Sequence, residues 1–515
     1  MARQHSGSLV LTYDIGTTGT KCCLFTLEGT ELAAQTENYD TRYPRPGWGQ
    51  QRPTDYWEAV VRVTRAICEK IEIDPATICG IGLCGQMNGC VPLDSAGDPS
   101  YDAIIHLDSR SSRERELINE IIPEPEFYRL TGNRPDVHFS LPKIMWLARN
   151  EPAVYNRTAV FLQAKDYVGY RLTGNMYATD FSDASLTAAL DIHNKCWAEH
   201  LIRAVGLDPA KFPEIHPSIA GRGALSEAAA RTLGLPSGIP VAYGCGDAAA
   251  ATRGAGVVDN TTSYVHVGSS AWMSTLLAEP LIDPHMRLQN FYDPDGTSCN
   301  ACGSVQSAGI CIDWVRGILL GRPEQSSGLE FDELEATAMQ AIPGADGLLF
   351  LPLLMGERTP YWDPHARGAF VGFTLSHNRE HVVRAVFEGV AFALRTVLEA
   401  LIEKTVTFRQ IMLLGGGLRS SFWKQLICDV FALPCIAHTS PHNATGLGAA
   451  MVGAVAAGEL NQLTDWPVSR LNGSELRPDP NLSAGYEQSF RIYEDLYEQL
   501  KPTFHRTAVA QRPQQ

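Results

Sequence analysis

The 515-residue chain has no long uninterrupted apolar segment. Its nearest approach is residues 446–458 (GLGAAMVGAVAAG), where 13 uncharged residues predict a buried helix. A membrane-spanning helix needs about 18. The N-terminal stretch MARQHSGSLVLTYDIG has one Arg and an apolar run too short and too mixed for a signal peptide. We therefore expect no membrane partner.

Positive charge and paired cysteine motifs are also scarce. The chain has 42 Lys and Arg against 57 Asp and Glu, a formal net charge of −15, which argues against nucleic acid or an anionic membrane as a partner. Of the 13 cysteines, only Cys299 and Cys302 form a C-x-x-C, and without a second pair this favours no zinc or redox site. The others lie among apolar neighbours, which predicts buried, reduced thiols and a cytoplasmic location.

The length exceeds what one hydrophobic core usually supports, so two large domains or a few smaller ones are expected. Residues 9–35 (LVLTYDIGTTGTKCCLFTLEGTELAAQ) alternate apolar runs with turn signals and predict an antiparallel three-stranded meander. Residues 53–71 have helical apolar spacing, and residues 78–87 form a Gly-rich apolar strand. The first half is therefore predicted to be α/β.

The second half repeats this order of elements. Residues 262–279 predict a strand, a tight turn and a strand; residues 379–404 predict a long amphipathic helix; residues 409–435 predict a strand, a triple glycine and a helix. Two domains of like topology follow, 1–256 and 257–505, with the boundary in the turn-rich stretch near 254–260 and a frayed tail after about residue 505.

Two hairpin turns, DIGTTGTK (14–21) and HVGSSAW (266–272), combine glycine with two hydroxyl residues. Successive N–H groups and hydroxyls make a concave surface that suits phosphate oxygens, although Gly, Ser and Thr are also ordinary turn residues. Asp14 ends the first strand beside its turn. Beside a phosphate it would need a cation such as Mg²⁺; otherwise it caps the turn.

Two further motifs place small residues around polar groups. In LLGGGLRSS (413–421) three glycines would let the backbone lie flat against a planar group, and ATGLGAAM (444–451) could form the opposite wall. In GCGDAAAA, Asp247 follows a predicted strand. It could be a simple helix N-cap, or a base that accepts the proton of a sugar hydroxyl attacking a γ-phosphate.

Taken in order along the chain, eight motifs resemble the FGGY carbohydrate kinases of the actin–hexokinase superfamily, in particular their xylulokinase-like branch. The resemblance covers roughly residues 8 to 500 and rests on DIGTT, GQM, LDSR, GCGDAA, VGSSAW, GERTP, RGAFVGF with EHVVRAVFEGVAFAL, and LLGGGLRS. It implies an α/β fold of two ribonuclease-H-like domains flanking a central cleft, a sugar-binding N-terminal domain, an ATP-binding C-terminal domain, and ATP-dependent phosphorylation of a sugar or polyol with Mg²⁺.

The resemblance also implies roles for individual residues. Asp247 would be the general base and, with Asp14, a metal ligand. ATP would be bound by Asp14, Thr17, Thr18, Lys21, Gly268, Ser269, Ser270, Gly415, Gly416, Gly417, Asn443 and Gly446. The sugar would be bound by Gln86, Met87, Asn88, Asp108, Arg110 and Asp247. A homodimer is expected because dimers occur among the relatives.

The sugar side departs from the xylulokinase pattern. Asn88 replaces a His, His106 and Leu107 replace Trp and Asn, and Ala248 replaces an Asn. The resemblance implies D-xylulose or a related ketose as the substrate, whereas these departures keep a polyol or a gluconate-like acid as alternatives, since Arg110 could pair with a carboxylate or simply with Asp108. A non-catalytic nucleotide-binding protein on the same fold is the alternative of a different class.

Overall fold

The computed structural model describes residues 8–70, 74–320, 328–403, 407–439, 443–467 and 472–510. The chain divides into two compact units. Unit 1 takes the described residues within Met1–Val258, Leu276–Asn300 and Asn443–Arg470, and unit 2 those within Asp259–Thr275, Ala301–His442 and Leu471–Gln515. In the part of the chain described, no helix combines the length and apolar character that crossing a bilayer requires.

The strands are short, as is usual in α/β proteins. In chain order they are β1 (Leu9–Ile15), β2 (Gly19–Thr26), β3 (Glu31–Asn38), β4 (Gln50–Gln51), β5 (Ile78–Gly85), β6 (Val91–Leu93), β7 (Ala103–Ile104), β8 (Val160–Leu162), β9 (Ala178–Asp180), β10 (Leu190–Asp191), β11 (Cys196–Trp197), β12 (Glu214–His216), β13 (Gly221–Ala224), β14 (Pro240–Ala242), β15 (Cys245–Gly246), β16 (Thr262–Val267), β17 (Ala271–Leu277), β18 (Gln289–Tyr292), β19 (Cys299–Val305), β20 (Leu349–Leu351), β21 (Ala369–Val371), β22 (Gln410–Leu414), β23 (Cys435–His438) and β24 (Asn472–Leu476).

The α-helices are likewise numbered in chain order. They are α1 (Pro53–Lys70), α2 (Ser112–Ile121), α3 (Glu124–Thr131), α4 (Ser140–Asn150), α5 (Pro152–Arg157), α6 (Ala164–Thr173), α7 (Phe181–Ser185), α8 (Glu199–Ala204), α9 (Glu227–Leu233), α10 (Asp247–Gly254), α11 (Gly309–Leu320), α12 (Gly328–Ala338), α13 (Arg379–Ile402), α14 (Ser421–Phe431), α15 (Ala444–Ala456) and α16 (Pro480–Ala510).

Unit 1 is built on a mixed sheet with the strand order β13–β14–β5–β1–β2–β3. The first three strands form the predicted antiparallel meander, whereas β1, β5 and β14 run parallel. β1 is buried almost throughout because both of its faces are covered. Leu9 and Leu11 belong to a core that includes α1, and Val10, which points to the other face, lies against Gly453 of α15.

A second seven-stranded sheet has the order β18–β19–β17–β16–β22–β23–β24, and its last six strands repeat the arrangement of the first sheet. Strand for strand these six match β3–β2–β1–β5–β14–β13, and the directions agree as well: the second hairpin is antiparallel, its first strand pairs parallel with β22, and β22 pairs parallel with β23. The last pair, β23 with β24, is antiparallel, as β14 is with β13. The repeated topology predicted from the order of motifs is confirmed.

The chain does not fill its units in simple order. The predicted boundary at residue 256 lies two residues from the point where the chain first leaves unit 1, but residues 276–300 and 443–470 return to that unit. The predicted apolar helix at 446–458 is α15, in unit 1. A frayed tail was predicted after about residue 505. This was wrong for residues 506–510, because α16 continues to Ala510.

Candidate active site

Two predicted site residues, Gln86 and Asp247, directly follow neighbouring parallel strands of unit 1. Ile15 of β1 is in register with Gly85 of β5, and Gly85 is in register with Gly246 of β15. The next residues along the chain are therefore brought to the same edge of the sheet, among them Gln86 and Asp247. The carboxyl ends of parallel strands are where ligands bind in open α/β sheets.

Asp247 is the first residue of α10, and Gly246 is the N-cap. The interpretation of Asp247 as a simple N-cap was therefore wrong. Its Oδ1 accepts the N–H of Ala248 at 2.7 Å, and the side chain is half-buried. Burial, reinforced by the negative charge of Asp14, raises the pKa of Asp247 to about 7. A carboxylate with this pKa can exchange a proton near neutral pH.

Asp14, the last-but-one residue of β1, is the acid whose negative charge helps to raise the pKa of Asp247. Its Oδ2 accepts the hydroxyl of Thr445 at 2.8 Å, and Lys21 lies opposite it on β2. Burial raises the pKa of Asp14, while the Thr445 and Cys84 side chains and the charge of Lys21 oppose the rise. Two carboxylates that repel each other favour a cation beside them.

The donor set is small for a protein-only metal site. Among the described residues, no group of three or more His, Cys, Asp and Glu could hold a metal ion. Asp14 and Asp247 could thus supply at most two carboxylates, with water and phosphate oxygens completing the shell. This is how Mg²⁺ is usually held in phosphoryl-transfer sites, so the residues present fit a Mg²⁺ that arrives with a nucleotide.

The first hairpin turn presents Thr17 and Thr18 at the end of β1. The N–H of Gly16 is bonded to the carbonyl of Gly19 at 3.0 Å, which closes the turn. The carbonyl of Thr17 accepts Nε2 of Gln51 at 2.6 Å, and that of Thr18 accepts the N–H of Tyr39. The backbone of the turn is thus fixed, whereas the Thr18 side chain is exposed and that of Thr17 is half-exposed.

The loop after β5 carries the first group of predicted sugar-binding residues. Gln86 donates from Nε2 to Oε1 of Gln51 at 2.9 Å and to the carbonyl of Gly16 at 3.3 Å, and its own Oε1 is buried without a partner. Met87 is buried against Gly246, where a Cβ would come within 2.3 Å of its sulfur. Asn88 has a φ of 65°, and its Oδ1 is also buried without a partner.

Asp108 and Arg110 form a buried ion pair. Nε and Nη2 of Arg110 bind the carboxylate at 2.9 and 2.6 Å, and Asp108 also accepts the N–H of Gly49 at 2.6 Å. The guanidinium lies over Trp48, 3.7 Å from its ring centre, and within 4.8 Å of Trp146. The alternative of a salt bridge is confirmed, yet Nη1 of Arg110 remains buried without a partner.

Unit 2 brings its two predicted nucleotide loops together. β16 and β22 are parallel and in register, His266 with Leu414, so Gly268–Ser270 and Gly415–Gly417 begin at the same edge. A Cβ on Gly415 would lie 2.3 Å from the carbonyl oxygen of Val267, and one on Gly417 would lie 2.9 Å from a methyl of Val267. Gly416 and Ser269 are exposed between these contacts, where a ligand can approach the backbone.

Asn443 and Gly446 belong to unit 1 and not to the unit of the triple glycine. Asn443 precedes α15 and donates to the carboxylate of Glu31. A Cβ on Gly446 would lie 3.5 Å from the sulfur of Cys23, which is an ordinary van der Waals distance, so the packing of α15 beside β2 does not itself require glycine here. Their role beside Gly415–Gly417 stays a prediction.

Sequence reasoning missed several residues that shape the site. Thr445, which bonds Asp14, stands next to the predicted Asn443 and Gly446, and its hydroxyl was the available signal. Trp48 and Trp146 stack on Arg110 from separate segments, and no local pattern marks either of them.

Comparisons with known proteins match both halves of the chain to one family. Residues 9–254 match the sequence model for the N-terminal domain of the FGGY family of carbohydrate kinases, and residues 263–457 match that for its C-terminal domain. A xylulose kinase of Lactococcus lactis is 32% identical over 502 residues, which cover 96% of this chain and 98% of that protein.

Solved structures of two proteins from Lactobacillus acidophilus are also similar. A gluconate kinase has a TM-score of 0.91 at 26% identity, with 98% of this chain and all of that one covered. A ligand-bound xylulose kinase has a TM-score of 0.90 at 25% identity, with 97% and 100% covered. The similarity thus extends over nearly the whole chain in both sequence and fold.

Proposed function

The chain belongs to the FGGY family of carbohydrate kinases, and we propose that Asp247 is the general base of its reaction. The enzyme transfers the γ-phosphate of ATP to a sugar hydroxyl. Asp247 would accept the proton of that hydroxyl as its oxygen attacks the phosphorus. The observation that carries this role is the position of one half-buried carboxylate at the strand edge, with its pKa raised to about 7 by burial and by Asp14.

The rest of the catalysis would come from positioning and charge. Thr17, Thr18, Ser269 and Ser270 would donate to phosphate oxygens, and the exposed Gly416 would lie against the nucleotide. Asp14 and Asp247 would hold Mg²⁺, which neutralises charge on the phosphates when it is bound. Lys21, opposite Asp14, adds a positive charge on the same edge.

For the acceptor we propose D-xylulose or a related ketose. Relatives of similar sequence and fold are named xylulose kinase. Two buried acceptors without partners, Oε1 of Gln86 and Oδ1 of Asn88, suit hydroxyl donors, and Nη1 of Arg110 suits one acceptor on the substrate. The site is less suited to the carboxylate of a sugar acid, because Asp108 already neutralises the positive charge of Arg110.

Gluconate is nevertheless the second candidate, because the structure with a TM-score of 0.91 is named a gluconate kinase. Ala248 stands next to the base and leaves room for a ligand that a larger side chain would exclude. A polyol would satisfy the same two acceptors, Gln86 and Asn88, through its hydroxyl groups.

The test is ADP release, coupled to NADH oxidation, with D-xylulose, other ketoses, polyols and D-gluconate at equal concentrations. We expect the highest kcat/KM with D-xylulose or a neighbouring ketose, and ADP release without sugar sets the background. A kcat/KM at least tenfold higher for D-gluconate than for any ketose would instead assign gluconate as the substrate. No turnover with any acceptor would contradict the proposed role of Asp247.

The same family membership supports two coarser proposals. All thirteen cysteines are free thiols, most of them buried, and ATP is the phosphate donor, so we propose a cytoplasmic site of action.

The homodimer stays a prediction, and light scattering of the purified protein at two concentrations would check it.

A further inference from the structure

A buried ionic cluster lies in unit 1, formed by residues of α6, β9 and α7. Nζ of Lys165 contacts carboxylate oxygens of Asp166 at 2.7 Å, Asp180 at 2.8 Å and Asp183 at 3.1 Å, and all four side chains are inaccessible to solvent. Burial alone would lower the pKa of Lys165, but these three carboxylates raise it well above its usual value. The ammonium group is therefore charged, and it fixes the carboxylates around it.

Asp180 leads from this cluster to the active site. Its Oδ2 accepts the hydroxyl of Ser182 at 2.5 Å and that of Ser218 at 2.6 Å. The hydroxyl oxygen of Ser182 in turn accepts the N–H of Gly246 at 2.8 Å. Since Gly246 is the N-cap of α10 and Asp247 is its first residue, a continuous chain of polar contacts runs from Lys165 to the residue before the base.

Gly246 is positioned through its backbone, by its pairing with Gly85 of β5 and by the hydrogen bond that its N–H donates to Ser182. It has no side chain, and a Cβ at this position would come within 2.3 Å of the sulfur of Met87. β15 contains only two residues, Cys245 and Gly246. Ser182 is fully buried, so water cannot readily replace its hydroxyl if it is removed.

We propose that Ser182 is a positioning residue for Asp247. Its hydroxyl, oriented by Asp180 and Lys165, fixes the backbone at Gly246 and with it the direction in which the carboxylate of Asp247 points. The inference rests on the proposed role of Asp247 as the base and adds that the Ser182 hydroxyl orients this base. Small displacements of a catalytic group cost rate while ground-state binding of the other substrate is retained.

The test uses pairs of variants in the full-length enzyme. Ser182→Ala removes the hydroxyl that holds Gly246. Ser218→Ala is the matched control, because it removes an equally buried hydroxyl from the same Asp180 oxygen without touching Gly246. Ser182→Thr keeps the hydroxyl. Ser182→Cys keeps the volume but offers only a weak acceptor, so the test does not depend on the alanine variant being stable.

We expect Ser182→Ala and Ser182→Cys to lower kcat roughly tenfold to a hundredfold, with the KM for ATP changed by less than about twofold. Ser182→Thr should recover most of kcat, and Ser218→Ala should keep it within about twofold although its unfolding temperature falls as much as that of Ser182→Ala. Equal kcat in Ser182→Ala and Ser218→Ala would overturn the inference.

Asp247→Ala is measured alongside to separate the two proposals. If Asp247→Ala is inactive while Ser182→Ala and Ser182→Cys turn over normally, only the positioning role fails. If Asp247→Ala itself turns over sugar at the wild-type rate, the role of Asp247 as the base fails, and the positioning inference falls with it.

Discussion

The hydroxyl of Thr445 donates a hydrogen bond to Oδ2 of Asp14 over 2.8 Å, although 431 residues separate the two in the chain. Asp14 is the last-but-one residue of the first strand of unit 1, and Thr445 lies in the first turn of α15. The contact fixes one carboxylate of the proposed Mg²⁺ site with a residue from the far end of the sequence. It also opposes the effect of burial, which raises the pKa of Asp14.

Thr445→Val should weaken the binding of Mg²⁺ and ATP. The valine keeps the shape of the side chain but removes a donor to a buried carboxylate, a contact worth about 1.5 kcal/mol or roughly tenfold in affinity. We expect the KM for Mg·ATP to rise by up to that factor at saturating sugar. Thr232→Val, which removes an exposed helical hydroxyl bonded to the carbonyl of Ala228, is the control. An unchanged KM in Thr445→Val would contradict the assignment.

Asp247→Asn should abolish most of the turnover. The amide has nearly the same size as the carboxylate but cannot accept the hydroxyl proton, so kcat should fall about 10²- to 10⁴-fold. ATP binding, followed by calorimetry, should persist. Asp259→Asn, an exposed acid bonded to Thr261, changes the net charge equally and should leave kcat unaltered. ADP release above a tenth of the wild-type rate would count against the proposed base.

The activity should follow the ionisation of Asp247. Its pKa is raised to about 7 by burial and by the charge of Asp14, and only the deprotonated form can accept a proton. The neighbouring Cys84 thiol stays neutral because burial raises its pKa well above the usual value. We expect kcat/KM for the sugar to fall about tenfold per pH unit below pH 7. A profile flat between pH 5 and 8, with the fold intact by circular dichroism, would refute this.

Local features of the sequence were sufficient to predict much of the fold. The meander of β1 to β3 and the helices α1 and α13 follow from short-range periodicity and turn residues, and their predicted limits lie within three residues of the observed ones. The return of residues 443–470 to unit 1 was not predictable, because it depends on the close packing of Gly453 of α15 against Gly82 of β5, which no local pattern encodes.

The site was predicted unevenly for a related reason. Asp14 lies near the end of a strand that local patterns identify, and Gln86 and Asp247 directly follow neighbouring strands, so the register of the sheet brings the three residues to one edge. The partners that tune them come from distant segments, as Thr445 does for Asp14. The N-cap interpretation of Asp247 failed by one residue because Gly246, with extended φ and ψ values of −61° and 151°, is the N-cap, and the helix begins at Asp247.

Asp247 should also reduce stability above neutral pH. In the unfolded chain an Asp titrates near 3.9, whereas in the folded protein burial and Asp14 raise this pKa to about 7. Between these two pKa values the folded state binds one proton that the unfolded chain has released. The free energy of unfolding therefore falls as the pH rises through that range. Asp247→Asn removes this cost, so its unfolding temperature relative to wild type should increase from pH 4.5 to pH 8. A constant difference would contradict the raised pKa.

Gly415→Ala should destabilise unit 2. Gly415 has a φ of 100° and a ψ of 160°, a region open essentially only to glycine, and a Cβ would lie 2.3 Å from the carbonyl oxygen of Val267. The strain alone costs about 1–3 kcal/mol, so the urea midpoint should fall clearly. Gly416→Ala is the matched control for stability, because Gly416 is exposed and begins the short helical turn that follows Gly415. Equal midpoints for the two variants would show that the backbone at Gly415 can relax without cost.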